Sequence, residues 1–411
     1  MRSCLVVVLV AAARGASADP IDAALARLAQ PIRLDAGKLA GKGADTLRPA
    51  LDTAQFVMLG EDHGIAQIPQ LAAAMCAELA PHGFHHLALE VGPSVGPELE
   101  QFARAPDGVA RAAAFDRANP ETVAFYNWKE ELEFLRACAK SSTAPLQIWG
   151  VDQELMGAPV HVLREILATK PGPAGTAAID ALIAEDAADH AGAARSGDYG
   201  ALFMMKATQS TFDGAKDALA RDGSPEAQAL FGSLLASRDI YLGQSGSTPY
   251  LSNRARARLM KGTFLDDLSA AAKAEHELPK VMLKLGAYHL YRGFNPLHSS
   301  ELGNMIGEAA EGHKVLAVNV LVLGLEGQQL RPAGVGKRAA PGALDLRADP
   351  DWKFAAPLFA ATRKTGWTLF ELRALRPRFR DLGAIAPELE RLIFGYDFVI
   401  VIPDPRPEHP L

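Results

Sequence analysis

Short apolar runs and amphipathic stretches alternate along the chain. Seven runs have the length and composition of buried strands: residues 56–60, 87–91, 147–151, 281–285, 315–322, 367–372 and 398–402. Between them, apolar residues recur three and four positions apart, the period of an amphipathic helix, as at Ile65, Ile68, Leu71, Met75 and Leu79. Strands separated by helices predict an α/β fold with a mainly parallel sheet flanked by helices.

The stretch 159–276 differs from the rest, because it carries little strand signal and is rich in Ala, Leu, Asp, Glu and Arg. It is too long for a plain loop. We expect a helical insertion between the third and fourth core strands, lying over the strand ends as a lid. The α/β core then comprises residues 19–158 and 277–411.

The first 18 residues have the pattern of a signal peptide. Arg2 precedes a short apolar run at 5–13, and Ala16-Ser17-Ala18 is a cleavage site of the A-x-A type before Asp19. The run is too short to anchor a protein in a bilayer. We therefore predict cleavage near Ala18 and a periplasmic or secreted protein, with no later stretch that could cross a membrane.

Composition and charge exclude several classes of protein and of binding partner. The 411 residues are 49% hydrophobic and 22% charged, which excludes wholesale disorder and a polytopic membrane protein. The net charge of −6 gives no electrostatic drive toward nucleic acid. A small-molecule substrate is expected, and the sequence says nothing of oligomeric state. Cys76 and Cys138 lie on apolar faces of predicted helices, where we expect free buried thiols, with a disulfide as the alternative.

Polar side chains follow four of the predicted strands. The first runs into Glu61 and His63, the second ends in Glu90, the third in Asp152, and the fourth leads to His289. Ligands of open α/β sheets bind at the carboxyl ends of the strands, so these residues are the candidate site. The other histidines lack this placement; His82, His85 and His86 precede a strand and are excluded from the site.

Each candidate suggests a role in hydrolysis. His63 precedes a helix whose positive end would keep the imidazole neutral, and a neutral imidazole can act as a general base toward water. Glu61 or Glu90 would hold the other ring nitrogen, and His289 would donate to a developing oxyanion. No G-x-S-x-G, P-loop, G-x-G-x-x-G or H-E-x-x-H motif is present. A metal-activated water is the alternative that the residues leave open.

The chain resembles the erythromycin esterase-like superfamily over most of its predicted mature length. The resemblance rests on motifs in the same order: Leu59-Gly-Glu-Asp-His-Gly64, Leu87-Ala-Leu-Glu90, Trp128-Lys-Glu-Glu before Ile148-Trp-Gly-Val-Asp152, Arg256 with Met260, and Ala287-Tyr-His289. It implies a hydrolytic site of Glu61, His63, Glu90 and His289, with His63 activating water without a metal or other cofactor. Asp152 and Arg256 are implied as supporting residues.

The first motif departs from the esterases. They carry two residues between Glu and His, whereas only Asp62 stands between Glu61 and His63 here. This shorter spacing is similar to that of the related ChaN-like haem-binding proteins and the TIKI/TraB group of G-x-x-H metalloproteases. The favoured expectation is an exported hydrolase of an ester or lactone. The alternatives are a metal-dependent peptidase or hydrolase, and a haem-binding protein without turnover.

Overall fold

The computed structural model describes residues 21–411 with the exception of Ala124. The predicted signal peptide and its cleavage site lie outside these residues. The strands are β1 (Gln30–Asp35), β2 (Lys38–Ala40), β3 (Ala54–Glu61), β4 (His86–Leu89), β5 (Gln147–Gly150), β6 (Val281–Gly286), β7 (Leu316–Gly324), β8 (Glu326–Arg331), β9 (Ala340–Asp345), β10 (Trp367–Glu371) and β11 (Phe398–Ile402).

Helices fill most of the chain between the strands. They are α1 (Ile21–Leu28), α2 (Lys42–Thr53), α3 (Gln67–Leu79), α4 (Gly96–Arg104), α5 (Gly108–Ala118), α6 (Lys129–Ser141), α7 (Pro159–Ala168), α8 (Pro173–Ser196), α9 (Phe203–Lys206), α10 (Gln209–Asp222), α11 (Pro225–Ser245), α12 (Pro249–Glu275), α13 (Leu302–His313), α14 (Ala356–Ala361) and α15 (Pro387–Gly395). No helix within 21–411, Ala124 aside, is long and apolar enough to span a membrane.

One nine-stranded sheet organises the fold, in the order β2-β1-β10-β11-β7-β3-β6-β4-β5. The six strands from β11 to β5 are mutually parallel, whereas β10, β1 and β2 pair antiparallel. The predicted α/β fold with a mainly parallel sheet is therefore confirmed. Sequence reasoning missed the edge pair β1–β2 and the separate hairpin β8–β9.

The central strands are apolar because helices cover both of their faces. In β3 every residue from Phe56 to Glu61 is buried, and Val57 and Leu59 are fully so. Such strands read as continuous apolar runs rather than alternating ones. Burying a side chain of this size contributes about 1.5–3 kcal/mol. This burial holds the carboxyl end of β3 rigidly in the middle of the sheet.

Between β5 and β6 the chain forms helices α7 to α12. Helices α7, α8, α10 and α11 share an apolar core of their own, which includes Phe212 and Phe231. By contrast, α12 buries Met260 and Phe264 in the core of the sheet. The segment between the third and fourth core strands is thus packed onto the sheet through its last helix.

Cys76 of α3 and Cys138 of α6 form a disulfide, with a Cα–Cα distance of 5.2 Å. Our expectation that both are free thiols is wrong. The two helices pack side by side, and the apolar faces that carry the cysteines meet. Sequence periodicity places each cysteine on a buried face, but it does not say which helices become neighbours.

Candidate functional site

The site lies where four parallel strands end together. In the register of the sheet Glu61 of β3 stands opposite Gly286 of β6, and Leu89 of β4 stands opposite Lys284 of β6. On its other side Leu89 faces Gly150 of β5. The residues that follow β3, β4, β5 and β6 therefore share one edge. Glu61, His63, Glu90 and His289, which we call the rim cluster, all lie there.

Two glycines make room for this cluster. Gly64 has a φ of +84°, and a Cβ there would lie 2.2 Å from the carbonyl oxygen of Leu330. Only glycine fits such a turn without strain. At Gly286 a Cβ would approach the Oε2 of Glu90 to 3.0 Å and the Nε2 of His63 to 3.1 Å. A side chain at Gly286 would therefore occupy the space between the acidic and basic groups of the site.

His63 is held between two carboxylates. Its Nδ1 lies 2.9 Å from Oε1 of Glu61, and its Nε2 lies 3.5 Å from Oε2 of Glu90. The ring of Phe125 stacks on the imidazole with 3.9 Å between centroids and 11° between planes. A quarter of the His63 side chain stays exposed, so water or a substrate can reach it.

The carboxylates decide the charge of His63. Burial lowers its pKa, but the hydrogen bond and charge of Glu61, followed by those of Glu90, outweigh burial and raise the pKa to about 10. The expectation that the helix end keeps His63 neutral is therefore wrong. Helix α3 begins only at Gln67, whereas Glu61 is in direct contact with the ring. In the resting site His63 is an imidazolium.

Glu90 is the centre of the cluster. Its Oε1 accepts a hydrogen bond from Arg256 at 2.9 Å and lies 3.4 Å from Nε2 of His289. Its Oε2 accepts from the backbone N–H of Gly286 at 2.5 Å and faces His63. Burial acts to raise the pKa of Glu90, yet the charge of His289 and the hydrogen bonds hold it well below its usual value. Glu90 therefore remains ionised between the two histidines.

His289 reaches the cluster from the short 3-10 helix after β6. Its Nε2 faces Glu90, and its Nδ1 lies 3.3 Å from Oε2 of Glu301. Burial lowers the pKa of His289, but the charge of Glu90 and the hydrogen bonds of Glu301 and Glu90 together outweigh burial and raise the pKa to about 9. His289 is thus a protonated donor at neutral pH. Glu301, which orients it, was not predicted, because it precedes a helix rather than ending a strand.

Arg256 and Asp152, predicted as supporting residues, form a two-point ion pair. Nε of Arg256 donates to Oδ1 of Asp152 at 2.9 Å, and Nη2 donates to Oδ2 of the same carboxylate. The same Nη2 also contacts Glu90. Because Arg256 lies in α12, this contact joins the last helix of the insertion to two strand ends. A bidentate guanidinium fixes both position and direction of its partner.

A buried lysine underlies the cluster, and sequence reasoning missed it. Lys284 lies inside β6 with no exposed surface, and its Nζ donates to Glu61 at 2.7 Å and to Glu131 at 2.6 Å. Burial acts to raise the pKa of Glu61, but the Lys284 charge and then the contacts of His63 hold it at about 2. The signal was a single lysine within the apolar run Val281–Gly286.

The donor set does not fit a metal ion. Arg256 and Lys284 already neutralise Glu90 and Glu61, and both carboxylates also contact histidines. Within the described part of the chain, the groups of three ligand atoms lying within 4.8 Å of one another include none of the rim cluster. A cation here would meet two fixed positive side chains, so these residues do not provide a favourable site for a metal ion.

A cleft of about 690 Å³ opens beside the cluster. Phe125 borders it and has a φ of +60°, which is unusual for a residue with a side chain. Trp128, Met156 and Tyr199 line the apolar part, and Lys337 lies at its edge. The ring that covers His63 is therefore also a wall of the cleft. Phe125 is thus the contact between the cleft and the rim cluster.

The fold is similar to those of several solved proteins, among them an erythromycin esterase. Solved structures similar to this chain include erythromycin esterase EreC in an open conformation (TM-score 0.61, 15% identity, 88% of this chain and 94% of that one). A Bacillus cereus protein gives a TM-score of 0.58 at 16% identity, over 95% and 98% of the two chains. A protein described as a succinoglycan biosynthesis protein gives 0.56 at 15%, again over 95% and 98%.

The similarity extends over nearly the whole of each of these solved structures. The erythromycin esterase-like relationship expected from the motifs is therefore confirmed at the level of the fold. Comparison of the sequence with protein-family models and with curated proteins gives no match. A shared fold does not by itself define an activity.

Proposed function

We propose that the chain is a hydrolase of a carboxylic ester or lactone in which His63 activates water. The observation that carries the proposal is the placement of His63 between Glu61 and Glu90, with His289 against the same Glu90. This is a base whose orientation is fixed by carboxylates, next to a separate protonated donor. Such a pair suits addition of water to a carbonyl followed by departure of an alcohol.

In the proposed reaction the neutral Nε2 of His63 takes a proton from water as the oxygen attacks the carbonyl carbon. Glu61 accepts from Nδ1 and stabilises the imidazolium that forms. The protonated His289 donates toward the oxyanion. As the C–O bond breaks, the His63 imidazolium returns its proton to the alcohol. The cleft beside Phe125 would hold the rest of the substrate.

The charge of the resting site sets the pH dependence of this reaction. With a pKa of about 10, roughly one His63 in 10³ is neutral at pH 7. A base of high pKa is also a stronger base, which offsets part of this small population. We expect kcat/KM to rise from neutral pH to about pH 9, above which His289 loses the proton that it donates. A rate that falls over this range would contradict the role of His63.

We also propose that the protein is exported. The support is the signal-peptide pattern at 1–18 together with the Cys76–Cys138 disulfide, because disulfides persist in oxidising compartments. N-terminal sequencing of the protein from a periplasmic or culture fraction should begin near Asp19. An intact Met1 recovered only from the cytoplasm would contradict export.

The experiment for the activity is a screen of esters and lactones with and without chelator, with His63→Ala as the control. Turnover that survives the chelator and disappears in the variant supports the proposal. Turnover that needs a divalent ion supports the metal-dependent alternative instead. Haem added to the protein, followed by visible absorption, tests the remaining alternative, in which His63 would hold the haem iron and give up its contact with Glu90.

A further inference from the structure

A second histidine–carboxylate cluster lies at the opposite end of the sheet from the rim cluster. His86 is the first residue of β4, His85 precedes it, and Glu275 ends α12. We call these three residues the amino-end cluster. The two imidazoles approach a single carboxylate oxygen. Oε1 of Glu275 lies 3.0 Å from Nε2 of His85 and 2.7 Å from Nε2 of His86. One ligand atom from each of the three lies within 4.8 Å of the others.

We propose that His85, His86 and Glu275 bind a divalent transition-metal ion, with Zn²⁺ the best match. Two imidazoles and one carboxylate are a common ligand set for zinc, with the fourth position left to solvent. Ligand atoms about 2.0–2.1 Å from a tetrahedral ion stand roughly 3.3 Å apart. To admit the ion, the contacts at 3.0 and 2.7 Å need to open by about 0.3 and 0.6 Å.

The hydrogen bonding of His85 prepares it as a ligand. Its Nδ1 lies 3.0 Å from the carbonyl oxygen of Gly83, and only an Nδ1–H can donate there. In the tautomer with the proton on Nδ1, the lone pair of Nε2 points toward Glu275, as metal ligation requires. Fixing a ligating imidazole through its other nitrogen is typical of metal sites in proteins.

The surroundings also favour a cation. In the part of the chain that the structure describes, the ion pairs of Glu275 are those with His85 and His86, and no lysine or arginine competes for it. The His86 side chain is fully buried, whereas about a fifth of His85 and of Glu275 is exposed. An ion can thus enter from solvent past Glu275 and reach His86 behind it.

A second group, Glu98, His161 and Glu165, has a similar ligand spacing. It is less suitable, because Nε2 of His161 already lies 3.1 Å from the carbonyl oxygen of Ser94 and stands 3.6 Å from Glu165. A nitrogen that donates a proton to a carbonyl has no lone pair for a metal. The amino-end cluster is therefore the site that we assign.

Bound Zn²⁺ would join the end of α12 to the start of β4. Since α12 also carries Arg256, the ion would fix one end of the helix that supplies a side chain to the rim cluster. Bound Zn²⁺ would also increase the stability of the fold, because an ion that binds only the folded state stabilises it by mass action.

The test is calorimetric titration of the chelator-stripped protein with Zn²⁺. We expect one ion per chain in the wild type and in His63→Ala, and a loss of at least about tenfold in affinity in Glu275→Gln and His85→Ala. His82→Ala is the matched control, because His82 is a nearby histidine paired with Asp52 instead. A rise in melting temperature on adding Zn²⁺ should occur in the wild type and disappear in Glu275→Gln.

Glu275→Gln keeps a hydrogen-bonding group of the same size, and its circular dichroism should match that of the wild type. Absence of stoichiometric Zn²⁺ binding would overturn the assignment, as would binding that survives both Glu275→Gln and His85→Ala. Binding lost in His63→Ala but kept in Glu275→Gln would place the ion at the rim cluster. That result would overturn this proposal and the metal-free reaction together, whereas loss in Glu275→Gln alone would leave the reaction untouched.

Discussion

Two clusters of histidine and carboxylate stand at opposite ends of the same strand. The residues His86 to Leu89 form β4; the amino-end cluster lies at its start, and Glu90 of the rim cluster follows its end. Both clusters place two imidazoles against one shared carboxylate. Their residue types therefore do not distinguish them.

What distinguishes the clusters is the positive charge built around one of them. Arg256 and Lys284 bind the carboxylates of the rim cluster, whereas Glu275 has only histidines as ion-pair partners within the described residues. Fixed cations keep the rim carboxylates ionised and already paired, which supports the proton transfer that we propose for this cluster. Without them, two imidazoles and a carboxylate are free to bind a metal. Neighbouring cations thus distinguish two clusters made of the same residue types.

The largest expected effect separates the two clusters by activity. His63→Ala should lose at least about 10²-fold in kcat, or roughly 3 kcal/mol, because it removes the general base. His85→Ala, at the other end of β4, should stay within about twofold of the wild type, since it touches no rim residue. Steady-state kinetics on a hydrolysed ester measures both. Near-full turnover in His63→Ala would contradict the assignment of the base.

Removing the buried cation Lys284 should lower the free energy of unfolding by about as much as His63→Ala raises the activation barrier. Lys284→Met leaves Glu61 and Glu131 buried without their partner, which we expect to lower the free energy of unfolding by about 3–5 kcal/mol. Lys280→Met is the matched control, because Lys280 lies over the ring of Phe84 and forms no ion pair of this kind in the described structure. Denaturant unfolding measures the difference. Equal stability of the two variants would show that the cation does not hold the rim cluster.

The disulfide tests the other end of the sheet. Cys76 and Cys138 border a small void together with His85 and His86. Replacing both cysteines by serine opens a loop whose ends are 62 residues apart, and we expect a loss of about 2–4 kcal/mol in the free energy of unfolding. The kcat should not change, because the rim cluster lies at the far edge. Wild type treated with reductant is the control. A fall in its kcat without unfolding would show that the disulfide affects the rim cluster, contrary to this prediction.

The smallest expected effect is a shift in pH dependence. Glu61→Gln keeps an acceptor for Nδ1 of His63 but removes the charge that raises its pKa, so the pKa falls. His63 is active above its pKa, and the rising limb of kcat/KM should therefore move to lower pH, by about one unit or 1.4 kcal/mol. Asp62→Asn removes an adjacent charge that makes no hydrogen bond to the ring in the described structure, and it should move the limb less. A larger shift in Asp62→Asn would refute the role of Glu61.

Much of the rim cluster was predictable from the sequence, because a buried parallel strand is a continuous apolar run and the first polar residue after it marks the end of the strand. Glu90 and His289 each follow an apolar run, as does the supporting residue Asp152, and parallel pairing brings those ends together. Lys284 and Glu301 were missed, since one lies within a strand and the other before a helix. Their roles depend on which neighbours the packing supplies.

The remaining errors have the same physical origin. The edge strands β1 and β2 alternate buried and exposed residues over only a few positions, and β1 contains Pro31, so no apolar run marks them. The charge of His63 was misjudged because the nearest partner, Glu61, outweighs a helix that begins at Gln67. The cysteines were misjudged because pairing between helices leaves no local pattern.

The most direct test of the contrast between the clusters is histidine NMR of the chelator-stripped protein, titrated with base and then with Zn²⁺. We predict that His63 and His289 lose their protons near pH 10 and 9, and that one equivalent of Zn²⁺ leaves both unchanged while the His85 and His86 resonances shift. A His63 that titrates near the ordinary value of about 6.5, or that responds to Zn²⁺ in place of His85 and His86, would contradict the account.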